Sequence, residues 1–80
     1  MRWVFAIVEE TEEKYVYRYA RESDELDGMI EYDKEQKTVA MIKPCTNDLG
    51  SEWCINKAIG KFVSFVAGEG FPNTRKVIAG

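Results

Sequence analysis

The chain has 80 residues, 14 acidic and 11 basic, for a net charge of −3, and it contains no histidine. The acidic balance argues against a nucleic-acid backbone or an anionic membrane as a general partner. The missing histidine removes the usual general base near neutral pH and the usual metal ligand, so no Ser-His or Cys-His pair can form within one chain.

At 45% apolar and 31% charged residues the composition is that of a globular chain. Its length makes one domain, residues 1–80, with a thin core that gains from burial against a partner. Arg2 to Val8 is apolar on both faces, as suits a strand inside a sheet or one covered on both sides. After the charged turn Glu9 to Glu13, Lys14 to Arg21 alternates strictly, with Tyr15, Tyr17 and Tyr19 on one face and Val16, Arg18 and Ala20 on the other. The tight link predicts a hairpin. Pairing Trp3 with Tyr19, Phe5 with Tyr17 and Ile7 with Tyr15 gathers the aromatic residues on one side.

Glu22 to Gly28 is an acidic loop ending in a turn glycine. Ser23, Glu25, Asp27 and Gly28 echo a calcium loop, but its first position is not acidic and its closing position is Lys34 rather than glutamate, so no metal is assigned. Met29 to Asp33 and Thr38 to Pro44 read as two further strands around the turn KEQK. This hairpin sets Tyr32 beside Val39 and Ile30 beside Met41, and Pro44 ends its second strand.

Leu49 to Gly68 is the one long helical stretch. Cys54, Ile55, Ala58, Ile59, Phe62, Val63, Phe65 and Val66 share one side at about 100° per residue, with Ile55, Ile59, Phe62 and Val66 at its centre. Asn47, Asp48 and Ser51 all offer a capping oxygen, Gly68 suits a left-handed C-terminal cap, and Pro72 prevents resumption. In the tail, Arg75 to Ala79 is a candidate short edge strand. The pattern predicts an α+β fold: a four-stranded antiparallel β-meander, then one long amphipathic helix packed on one face, with a short C-terminal strand. The aromatic face should take the helix, with Phe62 and Ile59 near its centre.

The acidic loop, the hairpin LDGMIEYDKEQKTVAMIKP, the amphipathic helix and the Phe-Pro-x-x-Thr tail together resemble a set of short bacterial proteins, a domain of unknown function, over Leu26 to Thr74. The quoted motifs are turns and core positions, so the resemblance implies a bacterial, cytoplasmic, single-domain protein and carries over no functional residue.

Little in the chain suggests chemistry. Cys45 and Cys54 lack zinc spacing and further ligands, and read as free, ordinary thiols. The carboxylates sit mostly in turns, where solvation does not split their pKa values as a catalytic pair requires. No apolar stretch is long enough to span a bilayer, and nothing in the sequence resembles a signal peptide, which makes the cytoplasm the expected compartment, with no cofactor expected.

The most specific local signal is on the back of the helix, where Asn56, Gly60 and Ser64 recur every four residues with Trp53 one turn earlier. A helix-interior glycine costs about 1 kcal/mol relative to alanine, and close approach by another backbone is one reason to keep it. Trp53, Asn56, Gly60 and Ser64 are therefore the candidate interface.

The expected function is a non-enzymatic, self-associating protein-interaction module, a homodimer with room for an unknown protein partner. The dimer pairs either helix back to helix back through Gly60 or sheet to sheet through Val4, Ala6 and Val8. The helix version is preferred, because the sheet version buries Arg18 and Lys14, which then need partners. The alternative is a nucleic-acid-associated regulator that uses the tyrosines with Arg18, Arg21, Arg75 and Lys76.

Overall fold

A computed structural model describes residues 1–80. Strands β1 (Arg2–Glu10), β2 (Lys14–Arg21), β3 (Gly28–Asp33), β4 (Thr38–Lys43) and β5 (Lys76–Ala79) form one antiparallel sheet in the order β4-β3-β2-β1-β5. A 3-10 turn (Thr46–Asp48) and helix α1 (Glu52–Glu69) connect β4 to β5. The meander and helix match the sequence pattern, and the tail does add an edge strand. Because β5 pairs with β1, with Val77 opposite Val4, β1 lies inside the sheet, although the helix covers only one of its two apolar faces.

The β3–β4 register is the expected one, with Ile30 opposite Met41 and Tyr32 opposite Val39. The β1–β2 register is not. Phe5 faces Tyr19 and Ile7 faces Tyr17, two residues away from the pairing that best matched the aromatic residues. The face is preserved because the displacement is even. Its cause lies at the turn end. A bulge sits between Ile7 and Glu9, adding a residue to one strand. The turn is drawn in by Thr11, whose hydroxyl accepts from the Glu13 and Lys14 N–H groups at 3.1 Å each. Neither device has a pattern in the apolar spacing.

Ser51 is the N-cap, accepting from the Cys54 N–H at 3.3 Å, so the helix starts at Glu52. It runs through Gly68. Gly70, at φ 74°, takes the positive-φ position and donates its N–H to the Val66 carbonyl at 2.9 Å. Only a residue without Cβ accepts that backbone easily, and the reversal lays Phe71 flat on Tyr15, ring centroids 4.0 Å apart.

The helix packs on the aromatic face. Phe62 is fully buried and meets Tyr17 at 5.2 Å, Phe65 at 5.3 Å and Phe5 at 5.7 Å between centroids. The buried stripe is Ala58, Phe62 and Phe65, whereas Ile59 is half-buried and Val63 exposed. The helix is thus rolled toward Phe65 relative to the centre expected from spacing, since Phe65 fits between Phe5 and Tyr17.

Gly28 opens β3 and is buried. It was expected to serve a turn, but its role is close approach: a Cβ there would sit 2.6 Å from Tyr19 Cδ1 and 2.8 Å from the Cys45 nitrogen. Gly28→Ala is expected to cost about 1–3 kcal/mol by overpacking, read as a lower urea midpoint with unchanged slope.

Tyr17 is fully buried and its hydroxyl donates to the Pro72 carbonyl at 2.8 Å. Burial, then the nearby Tyr15 and Glu10, pushes its pKa up from 10.0 to about 12. The fold therefore favours the neutral phenol. That stability is complete below about pH 10 and is lost as pH rises through about 12. Urea midpoints should fall across this window, and Tyr17→Phe should flatten the part of the fall that belongs to this hydroxyl.

Candidate interaction surface

Two surfaces remain outside the core. The first is the back of α1. Trp53, Asn56, Gly60 and Ser64 are all exposed and share that side. Trp53 is 61% exposed, with the Lys57 ammonium 5.3 Å from its ring centroid, so the 44–50 loop does not cover it. A Cβ at Gly60 would meet nothing within 4 Å. Within this chain, then, no backbone approaches that glycine.

The second is the sheet face opposite the helix. Its rows follow from the register. Val4 lies between Ala20 and Val77, Arg18 between Ala6 and Met29, and Val16 between Glu9 and Glu31. No helix lies over this face, yet Val4, Val16 and Ala20 are buried by their neighbours. Toward the margins Val8, Ile42 and Val77 are more than half exposed. Lys14 pairs with Glu31 at 3.3 Å on the same face, whereas Arg18 is exposed and makes no ion pair. The face has a dense apolar centre, in which the unpaired Arg18 has the carboxylates Glu9 and Glu31 one strand away on either side.

At one end of the helix side lies a polar cluster that spacing alone did not reveal. Asp48 was read as one of three capping oxygens; it is instead fully buried. Its Oδ1 accepts from Arg21 Nε at 2.7 Å and its Oδ2 from the Tyr19 hydroxyl at 3.0 Å. The Tyr19 oxygen in turn accepts from the Cys45 N–H at 3.1 Å. Arg21, its side chain only 17% exposed, also donates to the Asn47 carbonyl at 2.8 Å. The hydrogen bond from Arg21 to Asp48 pushes the guanidinium pKa up further, and burial pushes the Tyr19 phenol up. A clue was present: Arg21 has the same parity as Tyr15, Tyr17 and Tyr19, so it points toward the core, where a charge needs a counter-ion.

This cluster is a clamp on the loop after β4. Both Asp48 oxygens are engaged and the group is sealed from solvent. Burial pushes the Cys45 thiol up, keeping it protonated near neutral pH. Beside the clamp is a pocket of about 170 Å³, lined by Arg21, Ser23, Glu25, Asp27, Thr46 and Asn47 among others. The Thr46 hydroxyl and N–H both donate to Asp27, holding that carboxyl below its ordinary value. The echo of a calcium loop thus falls on a carboxylate already bound to Thr46. No three His, Cys, Asp or Glu side chains gather to hold a metal ion, and no helix is long and apolar enough to cross a membrane.

No family model, curated protein or solved structure matches the chain.

Proposed function

We propose that this chain is a non-catalytic protein-interaction module that pairs with a second copy of itself through the open face of its sheet. The observation that carries this reading is the uncovered face, with Val8, Ile42 and Val77 more than half exposed around an unpaired Arg18. A two-fold interface needs only one self-complementary patch. Here Arg18 of one copy meets Glu9 of the partner subunit while the valines close together. The objection to this geometry was that Lys14 and Arg18 need partners on burial; Lys14 already has Glu31. The helix patch of Trp53, Asn56, Gly60 and Ser64 is the second geometry and offers no charge pairing of its own.

The nucleic-acid reading has less support. Tyr17 and Tyr19 are buried and Tyr15 is stacked on Phe71, which leaves no tyrosine platform for bases. Arg21 is tied to Asp48, Arg75 lies by Asp24 and Lys76 by Glu69, so of its four cations only Arg18 is free.

Sedimentation equilibrium across a hundredfold dilution tests the proposal on the parent, Ala6→Arg and Gly60→Gln. The expected result is a dimer that Ala6→Arg abolishes, because it sets a second cation beside Arg18, and that Gly60→Gln leaves intact. Loss with Gly60→Gln alone moves the interface to the helix. A parent that stays monomeric at high micromolar concentration ends the self-association reading, and a salt-dependent mobility shift with RNA revives the alternative.

A further inference from the structure

The chain also carries a groove that the dimer does not use. It lies on the helix side, between the second half of α1 and the β3–β4 hairpin, with a volume of about 280 Å³. Its walls are Tyr32 and Val39 from the hairpin, Val63, Val66 and Ala67 from the helix, and Phe71 from the tail; the one charged lining residue is Lys37. We propose that this groove binds a small amphiphilic monocarboxylate of the fatty-acid class, its acyl chain along the valines and its carboxylate on the Lys37 ammonium.

Val63 is 45% exposed on an otherwise core-facing flank of the helix. Val39, Val66, Tyr32 and Phe71 are half-buried against the edge of the core. They form a concave apolar wall, whereas the exposed valines of the sheet's other face lie on an open surface. Phe71 is held in place by stacking on Tyr15 and by Tyr32, 4.7 Å away between centroids, so the end of the groove is fixed before any ligand arrives. Such a site suits a small ligand, for which pockets are mostly apolar with a few placed polar groups.

Charge decides the class. Lys37 is exposed and makes no ion pair, whereas Lys34 on the same turn is held by Glu10 at 2.9 Å and lies over the Tyr15 ring. The turn places Lys37 at φ 56°, a conformation that ordinary side chains adopt at a cost and glycine does not. Its N–H donates to the Asp33 carbonyl at 2.8 Å, which fixes the backbone at the groove mouth. A neutral lipid leaves this cation unused and a cationic amphiphile is repelled; a monocarboxylate satisfies both the wall and the ammonium.

The test titrates decanoate, 1-decanol and a short peptide ending in a free Leu-Phe carboxylate into the protein, followed by backbone amide NMR shifts. Decanoate is expected to saturate at one per chain, with shifts centred on Val39, Val63, Val66 and Phe71, and to bind at least tenfold more tightly than decanol. Lys37→Gly suits the local backbone and so keeps the fold; it is expected to abolish that tenfold preference while leaving decanol unchanged. Absence of saturable decanoate shifts at these residues overturns the proposal, as does a preference indifferent to Lys37→Gly. Binding of the peptide without binding of decanoate assigns the groove to a protein C-terminus and overturns the fatty-acid assignment. None of these outcomes depends on the oligomeric state, which the dilution series reads separately.

Discussion

Phe62→Ala is expected to destabilise the chain by about 3–5 kcal/mol. Phe62 is fully buried and its ring touches three other aromatic rings, those of Phe5, Tyr17 and Phe65, all within 5.7 Å between centroids. Deleting it removes the transfer free energy of the ring and leaves a cavity. These neighbours cannot close it by small shifts. Phe5 and Tyr17 are fixed in β-strands and Tyr17 is tethered to Pro72. Domains of this size hold on the order of 5 kcal/mol in total, so the variant should be partly unfolded at room temperature. Thermal melting by circular dichroism checks this. A midpoint within a few degrees of the parent would place Phe62 outside the core. Ile59→Ala, at a half-buried position, should cost less than half as much.

Asp48→Ala is expected to cost a similar amount, about 3–5 kcal/mol, for a different reason. It removes the acceptor of both Arg21 Nε and the Tyr19 hydroxyl and leaves a nearly buried guanidinium without its counter-charge. The effect should be strongly coupled to its partner. Arg21→Met alone leaves the Asp48 carboxyl buried without its partner, so it too is costly, but Arg21→Met with Asp48→Ala removes both members of the pair. The double variant should be more stable than the sum of the singles predicts by about 1–3 kcal/mol. Additive losses in urea titrations would show that the pair does not act as a unit.

The sequence disclosed faces better than positions. Tyr15, Tyr17 and Tyr19 declared which side of the sheet meets the helix, because side-chain direction in a strand depends only on odd or even position. How far β1 slides along β2 depends on the extra residue at Val8 and on the Thr11 turn, which the alternation does not encode. The start of the helix was narrowed to three oxygens, of which Ser51 caps. Asp48 was misread because a carboxylate just before a helix is nearly always a cap candidate, and only Arg21's place on the core-facing side of β2 argues otherwise. Of the candidate interaction surfaces, the exposed back of the helix with Trp53 and Gly60 follows directly from periodicity. The open sheet face was legible only as a remainder, since one helix covers one side. Lys37 at the groove mouth lay in a turn that any polar residue would satisfy, and what distinguishes it is a backbone angle that apolar spacing does not encode.

The pairing of β5 with β1 joins residues from nearly opposite ends of the sequence, Val77 against Val4. Every other neighbouring pair of strands is consecutive in the chain. Local hairpins close early and distant contacts late, so β5 should dock after the remainder has assembled and should also be the first strand to leave. While it is away, the helix and aromatic core stay intact, but the amides of Trp3 and Phe5, which alternate with those turned toward β2, lose their partners. Hydrogen exchange on that flank of β1 then reports a small local opening rather than global unfolding. In the open interval the chain presents an apolar, unpaired strand edge, a template for misassembly that the resting structure conceals. The rate of reclosing, more than the depth of the native minimum, sets how long that edge is offered.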